Sequence, residues 1–275
     1  MDFIVYVLIL LITGVFVGFL SGLLGVGGGF VMGPVQFWLL LFLGFEPNMA
    51  IRIAFGTSLA VIIPTALSGS AGHYIKGAVE IKPAMIIGLS SIITAYIGGV
   101  ITANTPAYVL STLFGIVIIF LAVWMLSSQY PHFSRQIKGN TFILIVLGLV
   151  TGLLSGILGI GGGTILIPFL IILIGCSVHK AIGTASVVVI FTAMGGVISY
   201  IINGINVAGL PTFSIGYINL VNLIILACAT VPLAQIGVKI SHTLPAEKLK
   251  YIYSILIIYI GLRMIGVFSW LHLPI

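Results

Sequence analysis

Long apolar runs separated by short polar breaks fill the whole chain. Apolar segments lie near 3–24, 29–44, 53–72, 83–103 and 106–127, and again near 141–160, 163–176, 181–202, 213–237 and 249–271. Most approach about 20 residues, the length a helix needs to cross a hydrocarbon core about 30 Å thick. Strand-length alternation of apolar and polar positions is absent, which argues against a membrane β-barrel. The pattern predicts an all-α polytopic membrane protein. One longer polar break, SSQYPHFSRQIKGN at 127–140, divides the segments into two sets of five.

The two sets are copies of one unit. SGLLGVGGGFVMGP at Ser21 to Pro34 returns as SGILGIGGGTILIP at Ser155 to Pro168. Gly14, Gly18, Gly22, Gly25 and Gly27 to Gly29 fall in register with Gly148, Gly152, Gly156, Gly159 and Gly161 to Gly163. Further on, AFGTS at Ala54 to Ser58 answers AIGTA at Ala181 to Ala185, Gly77 answers Gly204, and Gly98 answers Gly237. The expected organisation is a first membrane repeat over 1–127, a cytoplasmic linker over 128–139 and a second repeat over 140–275. Five is odd, so if every segment crosses, the second repeat enters from the opposite face. The segments 29–44 and 163–176 are short. Each either crosses or folds back as a re-entrant hairpin with the segment before it, and neither choice alters the inversion.

Charge placement supports the inverted layout. With the N-terminus outside, the inner connections receive Lys76, Lys82, Arg135, Lys138, Lys180, Lys239, Lys248 and Lys250. The outer connections near 45–51, 103–105 and 203–212 hold no basic residue, although Arg52 borders that side. Four crossings per half would spread the same charges over both faces, so the positive-inside rule favours inversion. Inverted repeats are a recurring plan of secondary transporters, with a site near the midplane between the halves.

Composition narrows the functions. The chain is 60% hydrophobic and 5% charged, with a mean hydropathy of +1.36, outside the range of soluble domains. Its net charge of +6 comes from scattered residues that form no basic stripe, so nucleic acid is not an expected partner. Cys176 and Cys228 have no ligand-like spacing, and neither a metal site nor a cofactor is expected. The first apolar run has no basic residue before it and is expected to stay in the mature protein. Asp2, Glu46, Glu80 and Glu247 all fall at segment ends, unlike the buried carboxylates of cation pumps.

The residues that invite chemistry are the glycine clusters. Gly14, Gly18 and Gly22, like Gly148, Gly152 and Gly156, have the spacing that lets helix backbones approach closely in lipid. Gly25 and Gly27 to Gly29, with Gly159 and Gly161 to Gly163, predict helix breaks instead, since each glycine costs a helix about 1 kcal/mol relative to alanine. A new helix starting after each break would present unpaired N–H groups, an anion site needing no side chain. A tight turn is the structural alternative. Hydroxyls cluster in the same frame: Ser21 and Ser155, Thr57 and Ser58, Thr164, Thr184 and Ser186. In membrane helices such groups often only bond the i−4 carbonyl, so Gly56-Thr57 and Gly183-Thr184 stand out because they repeat. Arg52 and His179 begin matching segments and are candidates to attract an anion, with interfacial snorkelling as the alternative. The expected substrate-binding set is therefore Gly25, Gly27, Gly28, Gly29, Gly159, Gly161, Gly162 and Gly163 with Ser21, Ser155, Thr57, Ser58, Thr184, Ser186, Arg52 and His179, with no catalytic residue.

At these motifs the chain resembles the sulfite exporter TauE/SafE family of membrane proteins. Gly22 to Gly29 and Gly156 to Gly163 carry the likeness, supported by GTS at Gly56 to Ser58 and GTA at Gly183 to Ala185. The second copy departs at Ala185, where the motif has Ser. The resemblance implies a secondary transporter of small sulfur-containing anions such as sulfite or organosulfonates. The expected setting is the cell membrane, and the expected partners are an anionic substrate, the lipid bilayer and a second copy of the chain. Carriage of another small anion or organic acid, or a non-transporting role in membrane assembly, are the competing expectations. An intramembrane enzyme is disfavoured, because no HExxH, GxSxG or buried acid is present.

Overall fold

The computed structural model describes residues 3–127, 140–243 and 246–267; the expected linker 128–139 lies outside them. The described residues form α1 (Phe3–Leu24), α2 (Gly29–Phe42), α3 (Pro47–Ile75), α4 (Ile81–Ala103) and α5 (Ala107–Ser127) in the first repeat. The second repeat holds α6 (Thr141–Leu158), α7 (Gly163–Ile172), α8 (Val178–Gly204), α9 (Leu220–Ser241) and α10 (Ala246–Ile265). Between α8 and α9 lies a small antiparallel hairpin, β1 (Ser214–Ile215) with β2 (Ile218–Asn219). Among the described residues, seven helices are long and apolar enough to cross a membrane, whereas α2 and α7 are short. The chain is a multi-pass helical membrane protein.

Most element bounds follow the hydrophobic runs. The run near 213–237 is the main departure, because its first residues form the hairpin and α9 starts only at Leu220. The reason is local. Phe213 and Gly216 turn the chain at φ 60° and 56°, and the Asn219 side chain caps α9 by accepting the Asn222 N–H at 2.9 Å. The helix α3 also begins earlier than the hydropathy suggests, at Pro47, where a proline loses no helical hydrogen bond.

The repeats interlock rather than standing side by side. Helix α1 packs along α9, and its counterpart α6 packs along α4. The glycines make these approaches possible. A Cβ on Gly22 would fall on the Ala234 carbonyl and one on Gly18 would lie 2.5 Å from Thr230 Cα. In the matching pair, Gly156 meets the Ala95 carbonyl and Gly152 the Ser91 carbonyl. Backbone contact of this kind replaces the hydrophobic effect, which cannot drive association between helices already in lipid. Large apolar side chains such as Ile4, Ile12, Ile93, Phe120 and Phe142 face outward.

At the centre α3 and α8 cross in opposite directions. Gly56 of α3 abuts Tyr200 of α8, and Leu59 abuts Gly196. Deeper in, Ile62 and Val189 both pack on Gly27. These are the most enclosed of the long helices, and the two broken helices lean on them.

Candidate functional site

Each glycine cluster is a helix break of the same shape. Helix α1 ends where the Gly25 N–H reaches the Ser21 carbonyl at 2.8 Å, and α6 ends where Gly159 reaches Ser155 at the same distance. Both closing glycines are left-handed, at φ 67° and 66°. Such a stop requires glycine, because a Cβ is penalised there. Gly28 and Gly162, also left-handed at φ 80° and 81°, then cap the starts of α2 and α7. Their carbonyls accept the first intrahelical bonds, from Val31 and Met32 in α2 and from Ile165 and Leu166 in α7.

The two breaks touch. A Cβ on Gly29 would lie 2.6 Å from the Gly159 carbonyl oxygen, and one on Gly163 would lie 2.9 Å from the Gly25 oxygen. Ile62 and Val189 flank the contact from either side. Every residue from Ser21 to Pro34 and from Ser155 to Pro168 is buried. Each helix start, with its partial positive charge, therefore abuts the break of the other repeat inside the molecule.

The other expected residues are not gathered there. Thr57 accepts the Asn219 N–H at 2.9 Å at the entrance to α9, and Thr184 accepts the Glu80 N–H at 3.1 Å at the entrance to α4. The repeated Gly-Thr dipeptides thus occupy equivalent posts at opposite ends, each anchoring a neighbouring helix. Ser186 bonds back to the Gly183 carbonyl at 2.7 Å. Arg52 sits at one end beside Tyr217, with its Nε buried and unpartnered. His179 sits at the other end, on the Ser241 carbonyl at 3.1 Å. Ser21 is buried beside the first break, and Ser155 and Thr164 beside the second.

Hydropathy did not single out a polar chain that runs across the helices. Tyr6 donates to Asn222 Oδ1 at 2.7 Å, Asn222 Nδ2 donates to Gln36 at 3.2 Å, and Gln36 Nε2 donates to Ser58 at 3.0 Å. Gln36 and Ser58 are fully buried. Tyr6 and Asn222 also line a cavity of about 590 Å³, together with Phe3, Phe45, Pro211 and Asn219. The positions that match Gln36, Ser58 and Asn222 in the other repeat are Leu170, Ala185 and Pro83, so the chain exists on one side only. A glutamine in the run FVMGPVQFWLLLF was the available signal.

The opposite end carries charge and imidazole. His73 Nδ1 lies 3.2 Å from His242 Nε2, His179 stacks on His242, and Lys180 pairs with Glu80. Burial, then the His179 and Lys76 charges, lower the His242 pKa below its ordinary value. No group here has the geometry of a metal site among the described residues. Cys176, between α7 and α8, is buried, and desolvation pushes its thiol up to about 12, which keeps it unreactive. Arg263 of α10 rests over the Trp38 ring of α2 at 4.0 Å.

Paired broken helices at the core of a multi-pass bundle are an architecture of membrane carriers. The sequence model of the sulfite exporter TauE/SafE family matches residues 10–264, and the chain belongs to that family. It is 30% identical to a probable membrane transporter protein of Methanocaldococcus jannaschii, covering 96% of this chain and 97% of the relative. A probable membrane transporter protein of Haemophilus influenzae is 25% identical over 94% of this chain and 98% of its own length. The probable membrane transporter protein YdhB of Bacillus subtilis is 29% identical over 89% and 92%. No solved structure matches the chain.

Proposed function

We propose that this protein is a secondary transporter of small sulfur-containing anions, such as sulfite or organosulfonates, working by alternating access between two inverted repeats. The observation that carries the reading is the buried contact between the two glycine breaks from which α2 and α7 start. Backbone N–H groups at such starts bind anions without a buried cation. Broken helix ends meeting between repeats are where carriers hold substrate. The sulfur class rests on the family's description. Export is the direction the energetics favour, because an inside-negative potential drives an anion out by about 2.3 kcal/mol per charge per 100 mV. Arg52 and Tyr217 at one end, and the histidine and lysine groups at the other, would raise the local anion concentration at the mouths.

The test is flux in proteoliposomes holding the full chain, with sulfite, thiosulfate, an alkanesulfonate, nitrate and acetate compared under an imposed potential. The reading expects saturable movement of the sulfur oxyanions, accelerated when the potential is negative on the donor side. Preference for acetate would move the substrate class to organic acids. Absence of movement for every anion would favour an assembly role.

A further inference from the structure

The two breaks share a backbone but not their walls. Around α7 the side chains are polar. Ser155 lies in the last turn of α6, with its Cβ 3.5 Å from where a Cβ on Gly162 would stand, and Thr164 is the second residue of α7. Both are fully buried, and neither Ser155 Oγ nor Thr164 Oγ1 has a hydrogen-bond partner. Thr192 and Thr151 stand beside the same cap, the first donating to the Gly161 carbonyl at 2.5 Å and the second to Leu147 at 2.7 Å. Around α2 Ser21 and Thr65 match Ser155 and Thr192, but the other two positions are apolar. Val17 replaces Thr151, Phe30 replaces Thr164, and a Cβ on Gly28 would collide with Val17 Cγ1. At Gly162 the nearest atoms would stand 3.4 Å away.

A buried hydroxyl without a partner has lost its hydrogen bonds to water with nothing in exchange, so two of them at one helix start call for a ligand that accepts hydrogen bonds. An oxyanion is such a ligand. Its oxygens would take the Ser155 and Thr164 protons, while the first N–H groups of α7, which have no intrahelical acceptor, supply the rest. The helix dipole adds in the same direction. Thr192 and Thr151, turned to carbonyls, hold the neighbouring backbone and leave the two free hydroxyls as the donors.

Building on the transport reading, we infer that the anion is held on one side of the pseudo-symmetric centre, at the start of α7, by Ser155, Thr164 and the α7 backbone. The start of α2, walled by Val17 and Phe30, is its packing partner and not a second binding site. The ligand these donors would recognise is a compact oxyanion, such as sulfite or the head of a sulfonate.

The experiment measures sulfite flux against concentration for the full chain in proteoliposomes. Ser155→Ala and Thr164→Val, each nearly isosteric, are expected to raise the half-saturation concentration about tenfold, the scale of a lost hydrogen bond to a charged group. Thr164→Ser keeps a hydroxyl and is expected to keep wild-type affinity, which separates the lost bond from lost packing. The mirror variants Ser21→Ala and Phe30→Leu are expected to stay within about twofold. Equal losses in Ser21→Ala and Ser155→Ala would overturn the one-sided site, as would unchanged affinity in both α7 variants while wild-type protein carries sulfite. Wild-type protein that carries none of the anions overturns the transport reading itself, and this assignment with it.

Discussion

Gln36 is fully buried in a helix of phenylalanine, leucine and tryptophan, and its amide bonds to Asn222 and Ser58. Removing one member of such a chain strands the others. Gln36→Leu, which installs the residue of the second repeat, is expected to cost about 1–3 kcal/mol in thermal unfolding in detergent. Adding Ser58→Ala, again the second-repeat identity, should then cost little, with a coupling of about 0.5–1.5 kcal/mol. Strict additivity of the two changes would deny that the bond matters. Ser58 was legible in the sequence because it sits in a repeated motif. Gln36 was not, since a single polar residue in an apolar run says nothing about a partner 186 residues away.

For an element, what matters is how its ends are held. The glycine caps of α2 and α7 are both left-handed with similar dihedral angles, yet one is crowded and the other is not. In Gly28→Ala the new Cβ meets Val17, whose branched side chain has one preferred rotamer in a helix. In Gly162→Ala only the left-handed backbone is penalised, by about 1–2 kcal/mol. Gly28→Ala is therefore expected to destabilise by about 1–3 kcal/mol more than Gly162→Ala. Val17→Ala should restore most of that difference, and melting temperatures of the four proteins check it. The short polar wall at Ser155 and Thr164 belongs to this scale too. The sequence named Ser155 as a candidate but ranked the repeated Thr57 and Thr184 above it. Repetition, it turns out, also marks joints: Thr57 and Thr184 hold the entrances of α9 and α4.

Across the whole molecule, α1 lies against α9 and α6 against α4, so neither repeat encloses a core without the other. The antiparallel crossing of α3 and α8 puts the connection near Gly77 with the His73 and His242 end, and the connection near Asn206 with the cavity end. Cysteines placed at Gly44 and Asn206 are expected to react with an impermeant maleimide on intact cells. Those at Gly77 and Thr243 should react only after permeabilisation. Cys228 is exposed and must first be replaced, while Cys176 is buried with a raised thiol pKa. Labelling of Gly77 and Asn206 from one common side would remove the inverted arrangement and the transport reading built on it.

Hydropathy by itself determined that this is a multi-pass helical membrane protein and where most of its helices run, because a helix in lipid must satisfy its backbone within a contiguous apolar stretch. The glycines likewise announced both breaks, since three in succession weaken any continuous helix. Which side chains surround those breaks was decided by the tertiary structure. The packing of α3 against α8 sends Arg52 and His179 to opposite ends, and it brings Ile62 and Val189 from these two helices against both glycine breaks. Contacts of that kind depend on how helices cross, a geometry that no periodicity along one strand of sequence encodes.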